Sequence, residues 1–521
     1  MARRVLAAAG LLAFLLTRLV ALPEPLGVDE GIFAATGWGL TQGLVLYRDV
    51  WDQKPPGIHL AYAAAFQVFG ADARAVVWID ALACAAACAF VFVLGTRLRS
   101  RACGWTSAIV FTVGTYPAFA LPYGGFLERA VPETFITALV AAAAWAAVSS
   151  DEVLMGLAIG LAAVFKPTAL IYWPALAGVA AWLRPAHRGR LFAASAAALC
   201  LAPAAVALWL WSAGELTDAR IAIVDYNRAY VAAGAGWSVL PDRLAHELWR
   251  LVKTDPLWCL GAVGAVAALL RLRRTNLEPP TSALRPPPSA LLPVLAFAWL
   301  AAMTIAVAAN GVRMYATYFL PAGPPLALLA GSFLTDFARG RRVIAAAGAV
   351  ALAAFIAIRS HYPDRLVRYV RADIAQLQQT APREPYLEMF GGYANGRGYS
   401  ARANAELAEY LRSHTTPDDR VYIFGMAPAV YFESARLPAN RFVWTFPGVA
   451  PFAGTPDFSV DALAHSLDLA APRYLVLERN NRDSSTGWKI EDVYAAAPIR
   501  RLLGGYAHEI EIEDFTVLRR R

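Results

Sequence analysis

The chain has 521 residues, of which 58% are hydrophobic and 17% charged, with a mean hydropathy of +0.44, whereas soluble domains average about 45–50% apolar and about 25% charged. An ordinary soluble enzyme is excluded. The formal charge of +8 does not argue for a nucleic-acid partner, because the arginines sit in short clusters between apolar runs, the pattern of cytoplasmic loops in a membrane protein.

A transmembrane helix needs about 20 mostly apolar residues. In chain order the predicted spans are 5–22, 74–96, 103–121, 131–149, 191–211, 256–272, 290–309, 317–335 and 343–359. The stretch 153–183 is too long for one span and too short for two full ones, and Lys166-Pro167 falls in its middle. The clusters Arg3/Arg4, Arg97/Arg99/Arg101, Arg184/Arg188/Arg190, Arg271/Arg273/Arg274 and Arg339/Arg341/Arg342 can all be cytoplasmic only if 153–183 crosses twice. That predicts about eleven spans, a cytoplasmic N-terminus and an external C-terminus. The first segment reads as a span, with a cleaved signal peptide as the alternative. Arg18, at its outer end, reads either as an interfacial anchor or as a phosphate contact. Five cysteines lie in or beside apolar spans, and their spacing predicts neither a disulfide framework nor a metal site.

Residues 1–360 are therefore expected to form a membrane domain with a long external loop at 23–73, and 361–521 a small external α/β domain. The latter carries strand-like runs (Val421–Gly425, Tyr474–Leu477, Phe515–Leu518), a helix-like run (Ala401–Ser413) and the turn signal Thr416-Pro417-Asp418-Asp419. The proline-rich stretch Glu278–Pro288 is a cytoplasmic loop.

The polar residues of the membrane half concentrate in the first external loop. It opens Gly27-Val28-Asp29-Glu30-Gly31 and later reads Tyr47-Arg48-Asp49-Val50-Trp51-Asp52-Gln53-Lys54-Pro55-Pro56-Gly57. Adjacent carboxylates at a membrane helix mouth are costly unless solvated, paired or in use. A carboxylate beside apolar walls gains proton affinity and suits a general base toward a hydroxyl. Lys54, followed by two prolines, suits a phosphate as a held point charge. Solvated loop charges with capping duties are the alternative. The short second loop adds Tyr123, Glu128 and Arg129, with Glu133 at the start of the next span. Glu133 reads either as a site residue or as an N-terminal carboxylate favoured by the helix dipole, and Lys166 either as functional or as snorkelling. The loop 212–255, with Tyr226, Asn227, Arg228 and Tyr230, reads as an interfacial amphipathic segment or an acceptor lid.

The order Asp29-Glu30, Tyr47-Arg48-Asp49, Gln53-Lys54-Pro55-Pro56-Gly57, Phe165-Lys166-Pro167 and Arg313-Met314-Tyr315-Ala316-Thr317-Tyr318-Phe319-Leu320-Pro321 resembles the polyprenyl-phosphate-dependent glycosyltransferases of the glycosyltransferase-C superfold, in particular the lipid A aminoarabinose transferases and bacterial protein O-mannosyltransferase-like proteins. The resemblance covers 1–335, and Pro417–Arg441 is similar to the external domain of bacterial members. It implies that Asp29 is the catalytic base with Glu30 in support, and that Glu133, in preference to Glu128, is the second acid. It implies that Lys54, Lys166, Arg313, Tyr315 and Tyr318 form the donor phosphate site. Gln53 and Arg18 are possible additions. Gln53 stands where the aminoarabinose branch has glutamate, which weakens a metal or aminosugar inference and leaves a divalent metal open but not implied, and Thr317 stands where many members have histidine, so a histidine contact does not carry over.

The expected reaction is inverting transfer of a sugar from a polyprenyl-phosphate donor to a hydroxyl of a cell-envelope acceptor, a lipid, glycan or protein, on the external face of a bacterial plasma membrane. Basic side chains can neutralise a monophosphate, so no cofactor is required. An oligosaccharide ligase using a lipid-linked donor, and a secondary transporter, are the alternatives.

Overall fold

The computed structural model describes residues 10–12, 14–15, 18–115, 129–274, 288–337, 343–359, 361–392, 398–449, 457–481 and 489–521. Part of the predicted first span, together with Tyr123 and Glu128, lies outside the described residues.

The first long loop is folded, not extended. Helix α1 (Val28–Thr41) starts at Gly27, whose backbone N–H donates to the Glu30 carboxylate at 2.5 Å, the reach-back half of a capping box. Helix α2 (Pro56–Phe69) starts on a proline, with Pro55 held extended at φ −60°, ψ 162°, because a residue preceding proline is driven from the helical region. This pair of prolines holds Lys54 at the mouth of α2. The two helices pack closely: a Cβ on Gly37 would lie 2.7 Å from Tyr62 Cβ.

The helices of the apolar region follow as α3 (Ala73–Leu98), α4 (Arg101–Gly114), α5 (Pro132–Ser149), α6 (Glu152–Phe165), α7 (Tyr172–Leu183) and α8 (Arg188–Ser212). After the short α9 (Asn227–Ala232) and the amphipathic α10 (Leu240–Thr254) come α11 (Pro256–Arg274), α12 (Pro288–Ala308), α13 (Gly323–Phe337) and α14 (Val343–Arg359). Among the described residues six helical stretches are long and apolar enough to cross a membrane, and three shorter apolar helices accompany them. Lys166 adopts an extended conformation (φ −159°, ψ 126°) before Pro167, as pre-proline sterics favour. A 3₁₀ turn, Pro167–Ile171, then leads into α7. The Arg184 guanidinium at the end of α7 reaches the Ala147 carbonyl at 2.9 Å and Glu152 at 3.3 Å. The chain thus returns to the level at which α6 began, which is the reversal at Lys166 expected from charge placement. The predicted span 317–335 differs in its opening, a 3₁₀ segment over Ala316–Ala322 containing Pro321. Proline removes a helical donor and obstructs the preceding turn.

Beyond the membrane helices, α15 (Tyr362–Leu377) and α16 (Ala401–His414) lead into a four-stranded sheet, β1 (Val421–Phe424), β2 (Tyr474–Glu478), β3 (Tyr506–Ile512) and β4 (Phe515–Arg520), in the order β1-β2-β4-β3. β1 and β2 are parallel and the remaining pairs antiparallel. This layer shares a hydrophobic core with the first loop. The Trp51 N–H donates to the Arg441 carbonyl at 2.8 Å, Phe66 stacks on Phe432 at 4.7 Å, and the Trp51 ring meets Phe442 and Phe458 edge-on at 5.4 and 5.6 Å. On its other side the loop touches the membrane helices: a Cβ on Gly57 would lie 2.7 Å from the Val164 carbonyl of α6. The loop is pinned from both sides, which fixes Asp29 and Lys54.

Candidate functional site

Four chain segments converge where α1 and α2 meet the ends of α5 and α6. Asp29, in the first turn of α1, lies in the field of Lys54, Asp52, Glu133 and Lys166. Burial raises its proton affinity above that of an ordinary aspartate, Lys54 and Lys166 work against this, and Asp52 and Glu133 add to it. Lys54 is half-buried, which disfavours its charge, but Asp52 and Asp29 outweigh this and hold it more firmly protonated than a free lysine. Its ammonium lies 5.8 Å from the centre of the Phe33 ring. The Tyr47 hydroxyl donates to the Lys54 carbonyl at 2.8 Å, steadying the segment between the two loop helices.

Opposite, Lys166 Nζ donates to Glu133 Oε1 at 2.6 Å and lies 3.7 Å over the Tyr318 ring. Glu133, Lys166, Tyr172, Tyr318 and Pro321 line a pocket with Ile136 and Val307. The Arg313 guanidinium stacks 4.0 Å from the Tyr230 ring and donates to the Tyr230 carbonyl at 3.1 Å. Tyr230 in turn feels Tyr318, Tyr315, Arg313 and Lys54. Tyr315 is 41% exposed and meets Tyr318 edge-on at 5.4 Å. Two acids, two lysines and an arginine–tyrosine group therefore face one region bounded by apolar helices. Such a site can hold an anionic phosphate and accept a proton from a hydroxyl.

Other expected residues stand apart. Glu30 is buried, and its two oxygens accept the backbone N–H groups of Gly27 and Arg129, at 2.5 and 2.6 Å. Burial pushes its pKa up to about 7 against the pull of Arg129. Its position is that of a brace between the first loop and Arg129. Arg18 donates to the Thr115 carbonyl and hydroxyl at 2.7 and 2.8 Å and lines a different pocket with Asp80, Cys84 and Arg129. Thr134 and Thr137 face that pocket, whereas Glu133 and Ile136 face the one with Lys166. Helix α5 thus separates Arg18 from the lysines. Gln53 contributes backbone: its N–H donates to Asp52 Oδ1 at 2.7 Å, and its carbonyl accepts from Asn227 at 2.8 Å.

Sequence reading did not single out Asp52 or His59 as site residues, and it placed Asn227 and Tyr230 in a loop read as an interfacial segment or an acceptor lid. Asp52 and His59 are buried within 3.4 Å of each other, and the His59 ring meets Thr36 Oγ1 at 2.7 Å. Asn227 follows a single π-helical turn, Ile221–Tyr226, a feature frequent at functional sites. The signal for it was the polar cluster Tyr226-Asn227-Arg228 in the loop 212–255. Among the described residues no three His, Cys, Asp or Glu side chains are grouped to hold a metal ion.

No family model matches the sequence, and no curated protein does. Solved structures do. ArnT from Cupriavidus metallidurans bound to undecaprenyl phosphate superposes with a TM-score of 0.58 at 14% identity, over 99% of this chain and 97% of that one. The apo state of the same protein gives 0.54 at 14%, with the same coverage. The Archaeoglobus fulgidus oligosaccharyltransferase tethered to an acceptor peptide gives 0.50 at 13%, over 99% of this chain and 74% of that one. The chain shares the fold of these structures, a polytopic helical membrane protein with a small C-terminal α/β layer.

Proposed function

We propose that the protein is an integral-membrane glycosyltransferase that moves a sugar from a polyprenyl-phosphate donor to a hydroxyl of a cell-envelope acceptor on the non-cytoplasmic face. The observation that carries this reading is the convergence of Asp29, Lys54, Glu133 and Lys166, from four separate segments, at a membrane helix mouth. The ArnT structure, which shares the fold, is bound to undecaprenyl phosphate, and a lipid-carried donor suits a site whose walls are membrane helices.

In this reaction Asp29 takes the proton of the acceptor hydroxyl, whose oxygen attacks the anomeric carbon. The bond from that carbon to the phosphate oxygen breaks, and configuration inverts. The leaving polyprenyl phosphate gains negative charge, which Lys54, Lys166 and Arg313 stabilise in a site shielded from water. Tyr318 and Tyr230 position Lys166 and Arg313 through the ring contacts above. Glu133 holds Lys166 until the phosphate arrives, and Glu30 keeps the α1 turn in place. Residues 361–521 brace the first loop through their common core.

The test is mass spectrometry of envelope glycans and lipid-linked sugars from cells lacking the protein. One envelope sugar is expected to disappear while its polyprenyl-phosphate form accumulates. Unchanged profiles of both would refute the reading.

A further inference from the structure

One end of the extramembrane sheet carries a row of arginines. The Arg473 N–H donates to the Arg420 carbonyl and the Arg520 N–H to the Arg473 carbonyl, both at 3.0 Å. These bonds continue the register that pairs Val421 with Tyr474 and Tyr474 with Arg519, so Arg420, Arg473 and Arg520 stand side by side across β1, β2 and β4. Residues paired in this way send their side chains to one face, and like charges directly opposite each other destabilise a sheet. The neighbouring acids offset this only in part. Arg473 Nη1 lies 3.9 Å from Asp419 Oδ2, and that oxygen already accepts the Thr416 N–H and hydroxyl at 2.7 and 2.9 Å. Arg420 gives one N–H to the Pro438 carbonyl and Arg520 one to the Ala471 carbonyl, each at 3.2 Å. A guanidinium has five N–H donors, so most of those in the row remain for a ligand. Arg519, one rung away, is different, because its Nε is paired with Glu509 at 2.8 Å.

The row opens into a cleft of about 920 Å³ lined by five arginines and by Asp418 and Asp419. That volume is in the range of small-molecule sites, about 300–1,000 Å³, and far exceeds what one phosphate fills. The cleft is separate from the lysine site. Beyond its other end β1 runs through Gly425 to Ala429, whose nitrogen lies 2.7 Å from the position of a Cβ on Gly31, two residues past Asp29. At about 3.3 Å per residue, the four steps from Phe424 back to Arg420 set the row on the order of 13 Å behind that end.

We propose that this cleft binds the glycan of the acceptor, a saccharide bearing two or more phosphate or carboxylate groups, through Arg420, Arg473 and Arg520. Guanidinium forks pair bidentately with both kinds of anion, and a row of them favours a ligand with several charges over one with a single charge. The proposal rests on the reading of the protein as a transferase with an envelope acceptor, but binding is measured without turnover.

The experiment is isothermal titration calorimetry of the full-length protein in phosphatidylcholine nanodiscs with fructose 1,6-bisphosphate, compared with inorganic phosphate and fructose. The bisphosphate should bind more tightly than phosphate, fructose should not bind, and added salt should weaken the complex. Arg473→Gln and Arg520→Gln should each weaken it about tenfold, whereas Arg479→Gln, which changes an exposed arginine beyond the other end of β2, should leave it unchanged. Failure of the bisphosphate to bind, or equal binding by both row variants, overturns the proposal. Binding of phosphatidylglycerol vesicles through the row without binding of the bisphosphate also overturns it, in favour of a lipid surface. In sugar transfer to an envelope extract, the row variants should raise the acceptor KM more than they lower kcat, with the donor KM unmoved. Bisphosphate held by the row with no transfer by the wild type keeps the cleft and refutes the proposed function, whereas wild-type transfer without bisphosphate binding refutes the cleft alone.

Discussion

Lys166 Nζ lies 2.6 Å from Glu133 Oε1 and 3.7 Å from the centre of the Tyr318 ring, joining the break after α6, the first turn of α5 and the 3₁₀ segment before α13. Both charged side chains are mostly buried, so removing one leaves the other uncompensated. Lys166→Met is expected to cost about 3–5 kcal/mol of stability. Lys166→Met combined with Glu133→Leu should regain most of it, because a packed apolar pair avoids the desolvation of two ions. Neither variant should exceed about a hundredth of the wild-type transfer rate. Thermal unfolding in detergent and a transfer assay separate the two effects.

Lys54→Ala should chiefly impair use of the donor. The stem of Lys54 is held by the two following prolines and its charge by Asp52 and Asp29, so losing it removes a fixed cation from the leaving phosphate. A fall of about 10²–10³ in kcat/KM for the donor is expected, with the protein still inserted in membranes. Lys54→Arg should recover little, since a planar fork does not replace a point charge in a packed site. Steady-state kinetics with varied donor checks this.

Glu30 couples stability to pH. Its folded value of about 7 lies above its ordinary 4.5, so the folded state holds the proton more tightly, and the contribution present below pH 4.5 is lost as pH rises toward 7. In Glu30→Gln the unfolding temperature should lose that part of its slope. A slope unchanged between pH 4.5 and 7 would contradict the assignment.

Close backbone contact at Gly57 sets the distance between the loop and the α6 break. The position for a Cβ lies 2.7 Å from the Val164 carbonyl and 3.1 Å from the Phe165 nitrogen, beside Lys166. Gly57→Val should push α2 away from α6, separate Lys54 from Lys166, and lower transfer by an order of magnitude or more, consistent with the cost of misplacement by about 1 Å. Gly31→Val, whose Cβ would lie 2.7 Å from the Ala429 nitrogen, should instead loosen the first loop from the C-terminal layer. Limited proteolysis of the membrane-embedded protein distinguishes the two.

Charges in apolar surroundings were the legible part of the site. Asp29, Lys54 and Lys166 stand out in the sequence because an ion beside a membrane span needs a reason, and Pro55, Pro56 and Pro167 announce the breaks that hold the lysines. The reversal at Lys166 followed from arginine placement together with the length of 153–183 and the Lys166-Pro167 break. His59 was not legible, since a histidine within Gly-Ile-His-Leu-Ala looks like any core residue until Asp52 and Thr36 are brought beside it. Tyr230 was readable as part of a polar loop, but its stacking on Arg313, 83 residues away, was not. The side of α5 that Arg18 occupies was not legible either, because proximity to a helix end does not set it. In the extramembrane layer the apolar strands at 421, 474 and 515 were readable, whereas β3, whose residues are largely exposed, lacks the hydrophobic pattern by which a strand is recognised. Nor did composition reveal that this layer and the first loop share one core, which depends on contacts such as Trp51 with Phe442.

The most direct test of the account is the release of free polyprenyl phosphate from a radiolabelled polyprenyl-phosphate sugar by the protein in liposomes supplied with an envelope extract. The wild type should release it in step with inverted sugar transfer, and Asp29→Asn, present at equal amount, should do so about 10²–10⁴-fold more slowly, the range for losing a positioned general base. Release by Asp29→Asn at the wild-type rate would contradict the central claim.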